Sequence, residues 1–389
     1  METTLFIIHT HIGDHLKAKD YLNLLSTCQL FVSERIFVLR QCTVKVVEES
    51  SVEDFLAVWG GSASHIRRIR FYRDYFRNRK WPPGSTDYAS FLAHCGPLQS
   101  FSARQLDDVA LLLPFKYTLE TVSISHPTNS MLENCYVLDD MPNLKSLHVD
   151  NKQYDSLGFI AVHSNLRKFG ISFDKSHEAF NVEMLLHMRF LEDLALTSAT
   201  LLNVQRLSVM ALLKCLKLRE TDVSDLEFLR QLPCLTHLYL AKTLVSDLNP
   251  VQHLTQLKCL DISSTAITTL EPVRNLINLS DLDISESCIS DLEPLRNLKR
   301  LNALWAMHSL IDRLEPLSDC ILMVFLDCDS TRIRSVEPLA NMPKLRSLYL
   351  RGTQVKDLSP LYGLTSMETL MCEPELEEGR IRILGNTQT

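Results

Sequence analysis

A 22-residue unit, repeated without a slip of register, constrains this chain more than any other feature. Complete copies begin at Leu213, Leu235, Leu257, Leu279, Leu301, Met323 and Leu345, and a truncated one, "METLMC", begins at Met367. The copy "LTHLYLAKTLVSDLNPVQHLTQ", Leu235 to Gln256, is typical. Its apolar residues follow neither the two-residue period of a strand nor the 3.6-residue period of a helix, so each copy combines more than one element. A fixed period of this length marks units stacked side by side, none of which buries its own core.

Each column of the unit has a physical role. Positions 1, 4 and 6 are apolar and mostly Leu, and a short strand places positions 4 and 6 on one face. Strands of successive copies then pair in a parallel sheet. Position 9 is Thr221, Thr243, Thr265, Ser287, Ser309, Thr331 or Thr353. A hydroxyl there, turned inward, supplies a partner for buried backbone groups where the chain leaves the strand. Position 16 is proline from Pro250 to Pro360, which suits the first turn of a short helix or 3-10 segment. The pattern L-x-x-L-x-L-x-x-T-x-[VI]-x-x-L-x-P-[LV]-x-x-L resembles the leucine-rich repeat. That resemblance implies an α/β solenoid: a horseshoe with a parallel concave sheet, short helical or 3-10 convex segments and a small N-terminal helical module as cap.

Weaker copies lie upstream: "LEDLAL" at Leu191, "LRKFGI" at Leu166, "LKSLHV" at Leu144, "LETVSI" at Leu119, "LQSFSA" at Leu98 and "IRRIRF" at Ile66. The repeats number about twelve and run from roughly residue 60 to 372. The expected organisation is a helical module or cap over 1–45, then a transition and degenerate first repeat over 46–97. Degenerate repeats follow over 98–212, regular repeats over 213–372, and an acidic C-terminal tail or cap over 373–389.

Composition removes several classes of function. The net charge of −7 argues against a surface built as a whole for nucleic acid. The 11 cysteines are odd in number and none form C-x-x-C, which reads as reduced thiols in an intracellular protein. The N-terminal "METTLFIIHTHIGDH" lacks the cation and apolar run of a signal peptide, and no stretch is long enough to span a membrane. Cytoplasm or nucleus is the expected location. His9 and His11 have no third ligand at metal spacing, and neither a phosphate loop nor a nucleophile motif occurs. The chain is expected to be a non-enzyme without metal or cofactor.

Residues 1–45 do not fit the repeat. Asp20 suits a helix N-cap, with Leu22 and Leu25 following on one face. The stretch "KDYLNLLSTCQLF", Lys19 to Phe31, resembles the second half of an F-box, the helical module that docks on the Skp adaptor of cullin–RING ubiquitin ligases. The family's opening Leu-Pro is absent here. The resemblance implies adaptor contacts at Leu5, Ile8, Ile12, Leu22, Leu25 and Phe31. The same apolar residues also suit a plain cap over the first repeat.

Positions 3, 5 and 7 of the strands point out of the concave face. There, Asp261, Asp281, Asp283, Asp327 and Asp329 stand among Tyr239, Trp305, Phe325 and Tyr349, with Arg351 at the far end. Aromatic anchors ringed by charge are what protein interfaces use. A basic peptide or protein is the expected partner. A second stretch, "HIRRIRFYRDYFRNRKW", offers Arg67, Arg68, Arg70, Arg73 and Arg77 to an anionic partner, an acidic protein ahead of nucleic acid. Its local reading is an early strand followed by an amphipathic helix with its aromatics inward.

Two functions follow. One is the substrate-recognition subunit of a cullin–RING ligase, holding the Skp adaptor and a cullin through its N-terminus and a target on its concave face. The other is a scaffold or regulatory subunit without a ubiquitin role, since the repeats also resemble those of phosphatase regulatory subunits and bacterial internalins.

Overall fold

The computed structural model describes residues 44–47, 60–72, 88–103, 106, 108–125, 134–150, 163–173 and 179–385. The chain divides into two compact units, Met1–Leu166 and Arg167–Thr389. In the first, five parallel strands pair in chain order: β1 (Val44–Val47), β2 (Arg68–Tyr72), β3 (Ser100–Ala103), β4 (Thr121–Ser125) and β5 (Ser146–Asp150). A short helix, α1 (Tyr88–Leu92), precedes β3 and buries Phe91 and Leu92. Four of these strands fall where the degenerate copies predict them. β1 is an additional parallel strand, and it starts two residues inside the segment assigned to the N-terminal module. Its register sets Val44 and Val46 beside Ile69 and Phe71 of the next strand.

Gly96 has a packing reason in this unit. A Cβ there would overlap the Ser64 carbonyl oxygen and crowd the Arg67 guanidinium, which itself donates to Ser64 O at 2.9 Å. Because the obstacle is backbone, Gly96→Ala is expected to cost about 1–3 kcal/mol of stability, read as a lowered urea midpoint.

The second unit holds β6 (Lys168–Ser172), β8 (Asp193–Thr197), β10 (Cys215–Lys217), β11 (His237–Tyr239), β12 (Cys259–Asp261), β13 (Asp281–Asp283), β14 (Ala303–Trp305), β15 (Phe325–Asp327), β16 (Ser347–Tyr349) and β17 (Thr369–Met371), all parallel. Two further short strands, β7 (Phe180–Asn181) and β9 (Leu201–Leu202), pair separately. From β10 onward the register joins like position to like position: Leu238, Leu260, Leu282, Leu304, Leu326 and Leu348 lie side by side and fully buried. This is the leucine-rich-repeat solenoid the sequence pattern implies. The convex segments that carry the prolines, such as Glu271–Val273 and Glu293–Leu295, are single 3-10 turns with proline in the first turn. A repeat of 22 residues has no length for a longer helix once strand and turns are placed.

The position-9 hydroxyls all do one thing. Each donates to the carbonyl of position 6 in its own repeat, from Thr221 Oγ1 to Leu218 O at 2.7 Å through Thr353 Oγ1 to Leu350 O at 2.7 Å. Replacing Thr265 by the near-isosteric Val keeps the shape and strips the Ile262 carbonyl of its buried donor. Thr265→Val is expected to cost about 1–3 kcal/mol, measurable by chemical denaturation.

Position 8 carries a feature the sequence does not announce. Glu220, Lys242, Ser264, Glu286, His308, Ser330 and Gly352 all have φ between 53° and 67°. That left-handed conformation costs a non-glycine residue roughly 1 kcal/mol. It turns the backbone N–H sideways to the position-7 carbonyl of the next repeat, as from Lys242 to Ser263 O at 3.0 Å and from Glu286 to Met307 O at 2.8 Å. The ladder of lateral bonds therefore continues past the strand ends. At the C-terminus, a 3-10 turn (Pro374–Leu376) and the helix α2 (Glu377–Gly385) follow β17, and Ile383 is fully buried. Among the described residues no helix is long and apolar enough to cross a membrane.

Candidate functional site

The site is the concave face of β10 to β16. The sheet puts row 5 in the order Lys217, Tyr239, Asp261, Asp283, Trp305, Asp327, Tyr349. Row 3 runs beside it, with Asp281, Ala303 and Phe325 as neighbours. Ala303 is small and buried. The Trp305 indole and the Phe325 ring stand 5.0 Å apart at 35°, and Phe325 meets Tyr349 at 5.5 Å and 42°. The three rings form one continuous aromatic ladder, each ring partly exposed. Stacked pairs at these separations hold one another in place, so the ladder is already ordered before anything binds.

The five carboxylates are not equivalent. Asp261 is 4% exposed and committed within the chain. Its Oδ2 takes Arg219 Nη2 at 2.6 Å, and its Oδ1 accepts from Ser263 N and Oγ at 3.1 and 2.7 Å. Arg219 also lies over the Tyr239 ring, 4.8 Å from the centroid. Asp261 therefore has its charge paired within the chain. Asp283 Oδ1 accepts from Ser285 N at 2.9 Å, and Asp327 Oδ1 from Asp329 N at 3.0 Å. The position-5 aspartates thus cap the turn after their own strand, a local role that recurs with the repeat. Asp329 accepts from Arg351 N at 2.7 Å, and Asp281 from the Ser280 hydroxyl. The Arg351 guanidinium rests on Met371 Sδ at 3.4 Å and the residue is exposed.

Asp283 and Asp327 flank Trp305 in the row. Burial beside the aromatic ladder pushes both carboxyls above the usual carboxylate range. No Lys, Arg or His forms an ion pair with either among the described residues. A shallow concavity of about 370 Å³ runs from Arg219, Tyr239 and Asp261 to Asp281, Asp283 and Trp305. Burial raises the pKa of the Cys259 thiol in its lining, which disfavours the thiolate there. Among the described residues no group of three or more His, Cys, Asp or Glu side chains is placed to hold a metal ion.

The sign of the Asp283 shift yields a prediction. Its folded-state pKa lies above the ordinary value, so ionised Asp283 opposes folding. Stability is gained as pH falls through the raised pKa and lost as pH rises through it. Asn keeps the Oδ1 acceptor for Ser285 N and removes the charge. Asp283→Asn is expected to raise the melting temperature slightly at neutral pH while weakening partner binding. A residue that costs stability and supports binding is the mark of a functional site.

The other expected contacts are placed differently. Arg67 closes a local turn through the Ser64 and Ile66 carbonyls, at 2.9 and 3.2 Å. Arg68 and Arg70 are strand residues of β2, paired with Ser100 and Ser102. Arg73 and Arg77 lie outside the described residues, as do Leu5, Ile8, Ile12, Leu22, Leu25 and Phe31. Sequence reasoning missed Arg219 as part of the site. It reaches Asp261 across 42 residues, two repeats away, and no local pattern shows that pair.

The repeat, the parallel register and the 3-10 convex turns define the class: the chain has the leucine-rich-repeat fold. No known family model matches it, and no curated protein matches it in sequence. Solved structures do. An internalin (InlF) from Listeria monocytogenes is similar at 22% identity, with a TM-score of 0.59 over 71% of this chain and 80% of that one. A leucine-rich-repeat protein of Leptospira interrogans matches at 14% identity and a TM-score of 0.53, covering 88% of each chain. The ectodomain of the plant receptor kinase GASSHO1/SCHENGEN3 from Arabidopsis thaliana, solved in complex with CASPARIAN STRIP INTEGRITY FACTOR 2, matches at 14% identity and a TM-score of 0.53, over 90% of this chain and 41% of that one.

Proposed function

We propose that this protein is a non-catalytic binding module that holds a protein partner of basic character against the concave face of β11 to β16. The observation that carries this reading is the ladder Trp305–Phe325–Tyr349 beside two carboxylates, Asp283 and Asp327, that form no ion pair among the described residues. Solvated faces rarely order three large rings in contact, whereas interface hot spots are built from such anchors. The plant ectodomain bound to a protein factor supports the same use of the fold.

The finer reading is a substrate receptor of a cullin–RING ubiquitin ligase in the cytoplasm or nucleus. Its support is "KDYLNLLSTCQLF" at Lys19 to Phe31, followed in the chain by the repeats. The mechanism is proximity: a target held beside the ubiquitin-charged enzyme reacts at raised effective concentration, with no chemistry in this chain. Affinity capture of the tagged chain from its own cells tests both levels, using wild type, Trp305→Ala, and Leu22→Asp with Leu25→Asp, each first shown to be folded by circular dichroism. The Skp adaptor and a cullin are expected with wild type and Trp305→Ala but not with the double variant, and the target is lost with Trp305→Ala. If no adaptor accompanies wild type, the ligase reading falls and a scaffold remains. If Trp305→Ala keeps every partner, the concave-face reading falls.

A further inference from the structure

The chain contains its own example of how this face binds a cation. In row 5, Tyr239 and Asp261 are lateral neighbours, and Arg219 fills the corner they make. Its guanidinium stacks 4.8 Å from the Tyr239 centroid and pairs with Asp261 at 2.6 Å. Further along the same row the order is Asp283, Trp305, Asp327, an aromatic ring again beside a carboxylate but with a carboxylate on both sides. The two ends of the row also differ in their ion pairs. Asp261 has its arginine within the chain, whereas Asp283 and Asp327 have no ion-pair partner among the described residues.

We infer that Trp305, set between Asp283 and Asp327, receives one arginine side chain of the bound partner. This rests on the proposed function and specifies its recognition chemistry. Three physical features select a guanidinium. Indole is the strongest of the aromatic faces for a cation. A planar guanidinium stacks on a ring and still directs N–H donors outward to carboxylates in its plane, which a compact ammonium cannot do. Neighbouring strands are roughly 4.8 Å apart, so a cation over the central ring of the row has a carboxylate on either side. Each of the two aspartates also has its Oδ1 held by a backbone N–H, at 2.9 and 3.0 Å, which fixes the carboxylates before the arginine arrives. The Phe325 and Tyr349 rings extend the ladder away from this point and suit the aliphatic stem or an apolar neighbour of that arginine.

The test uses the full chain and three small probes: N-acetyl-arginine amide, N-acetyl-lysine amide and the neutral isostere N-acetyl-citrulline amide. The readout is the Trp305 indole N–H signal in a nitrogen-edited NMR spectrum, identified by its loss in Trp305→Phe. The arginine probe is expected to shift that signal saturably in the millimolar range. The lysine probe should bind several-fold more weakly, and citrulline should leave the signal in place. Asp283→Asn and Asp327→Asn, which keep the Oδ1 acceptors, should each weaken the arginine response several-fold. Equal shifts with citrulline and arginine, or an arginine response unchanged by both Asn variants, would overturn the assignment. The two readings fail separately. If the indole ignores arginine while Trp305→Ala still loses the cellular partner, the binding module stands and the arginine site falls. If arginine binds as described while Trp305→Ala keeps every partner, the site is real and the proposed function is wrong.

Discussion

Trp305→Ala is expected to weaken binding of the concave-face partner by about 2–4 kcal/mol, roughly 30- to 1000-fold, with little effect on folding. The indole is only partly buried and stands on the outward row, so its removal opens no core cavity. It does remove the ring that Phe325 leans on at 5.0 Å and the aromatic surface between Asp283 and Asp327. Loss of the anchor should appear mainly as faster dissociation. Titration of the captured partner against wild type and variant, with matched circular dichroism spectra, measures it. An affinity change under threefold would remove Trp305 from the interface.

Leu282→Ala is expected to act through stability first, costing about 2–5 kcal/mol through a cavity under the same site. Leu282 is fully buried at the centre of β13, with Leu260 and Leu304 on either side. A solenoid is held together by contacts between neighbouring repeats. A cavity between central repeats therefore weakens the coupling of the two flanks as well as the local fold. Urea denaturation of this variant should show a lower midpoint and a broader transition than wild type. Because β13 also carries Asp281 and Asp283, partner affinity should fall in proportion to the loosened repeats. A midpoint unchanged from wild type would mean that these repeats do not share one core.

pH separates the two kinds of effect. Partner binding through Asp283 and Asp327 requires ionised carboxylates, so it should weaken as pH falls from neutral through their raised values. The contribution of the same groups to stability moves the other way, improving as they take up protons. The neighbouring charges that enter this balance are Asp261, Asp329, Arg219 and His308.

The repeat made most of the fold legible. The inward leucines and the position-9 hydroxyls have roles set by side-chain chemistry, and those columns are visible as residue types. The left-handed turn at position 8 was not, because it is imposed by a lateral backbone bond that Glu220, Lys242 and His308 all make equally well. β1 was passed over for a related reason: Val44 and Val46 hold strand register without the leucine signature. In the site, the aromatic and acidic columns could be read directly. Which acids are spent within the chain could not, since Asp261 is paired from two repeats away, whereas Asp283 and Asp327 form no ion pair among the described residues.

The most direct test of the central claim is photocrosslinking in the protein's own cells. A benzoylphenylalanine is placed at Tyr349, on the aromatic ladder, or at Ile277, an exposed apolar residue just before a strand and away from the ladder. The concave-face account predicts a discrete crosslinked partner from position 349 and none from position 277. A partner captured from position 277 but not from 349 would contradict it.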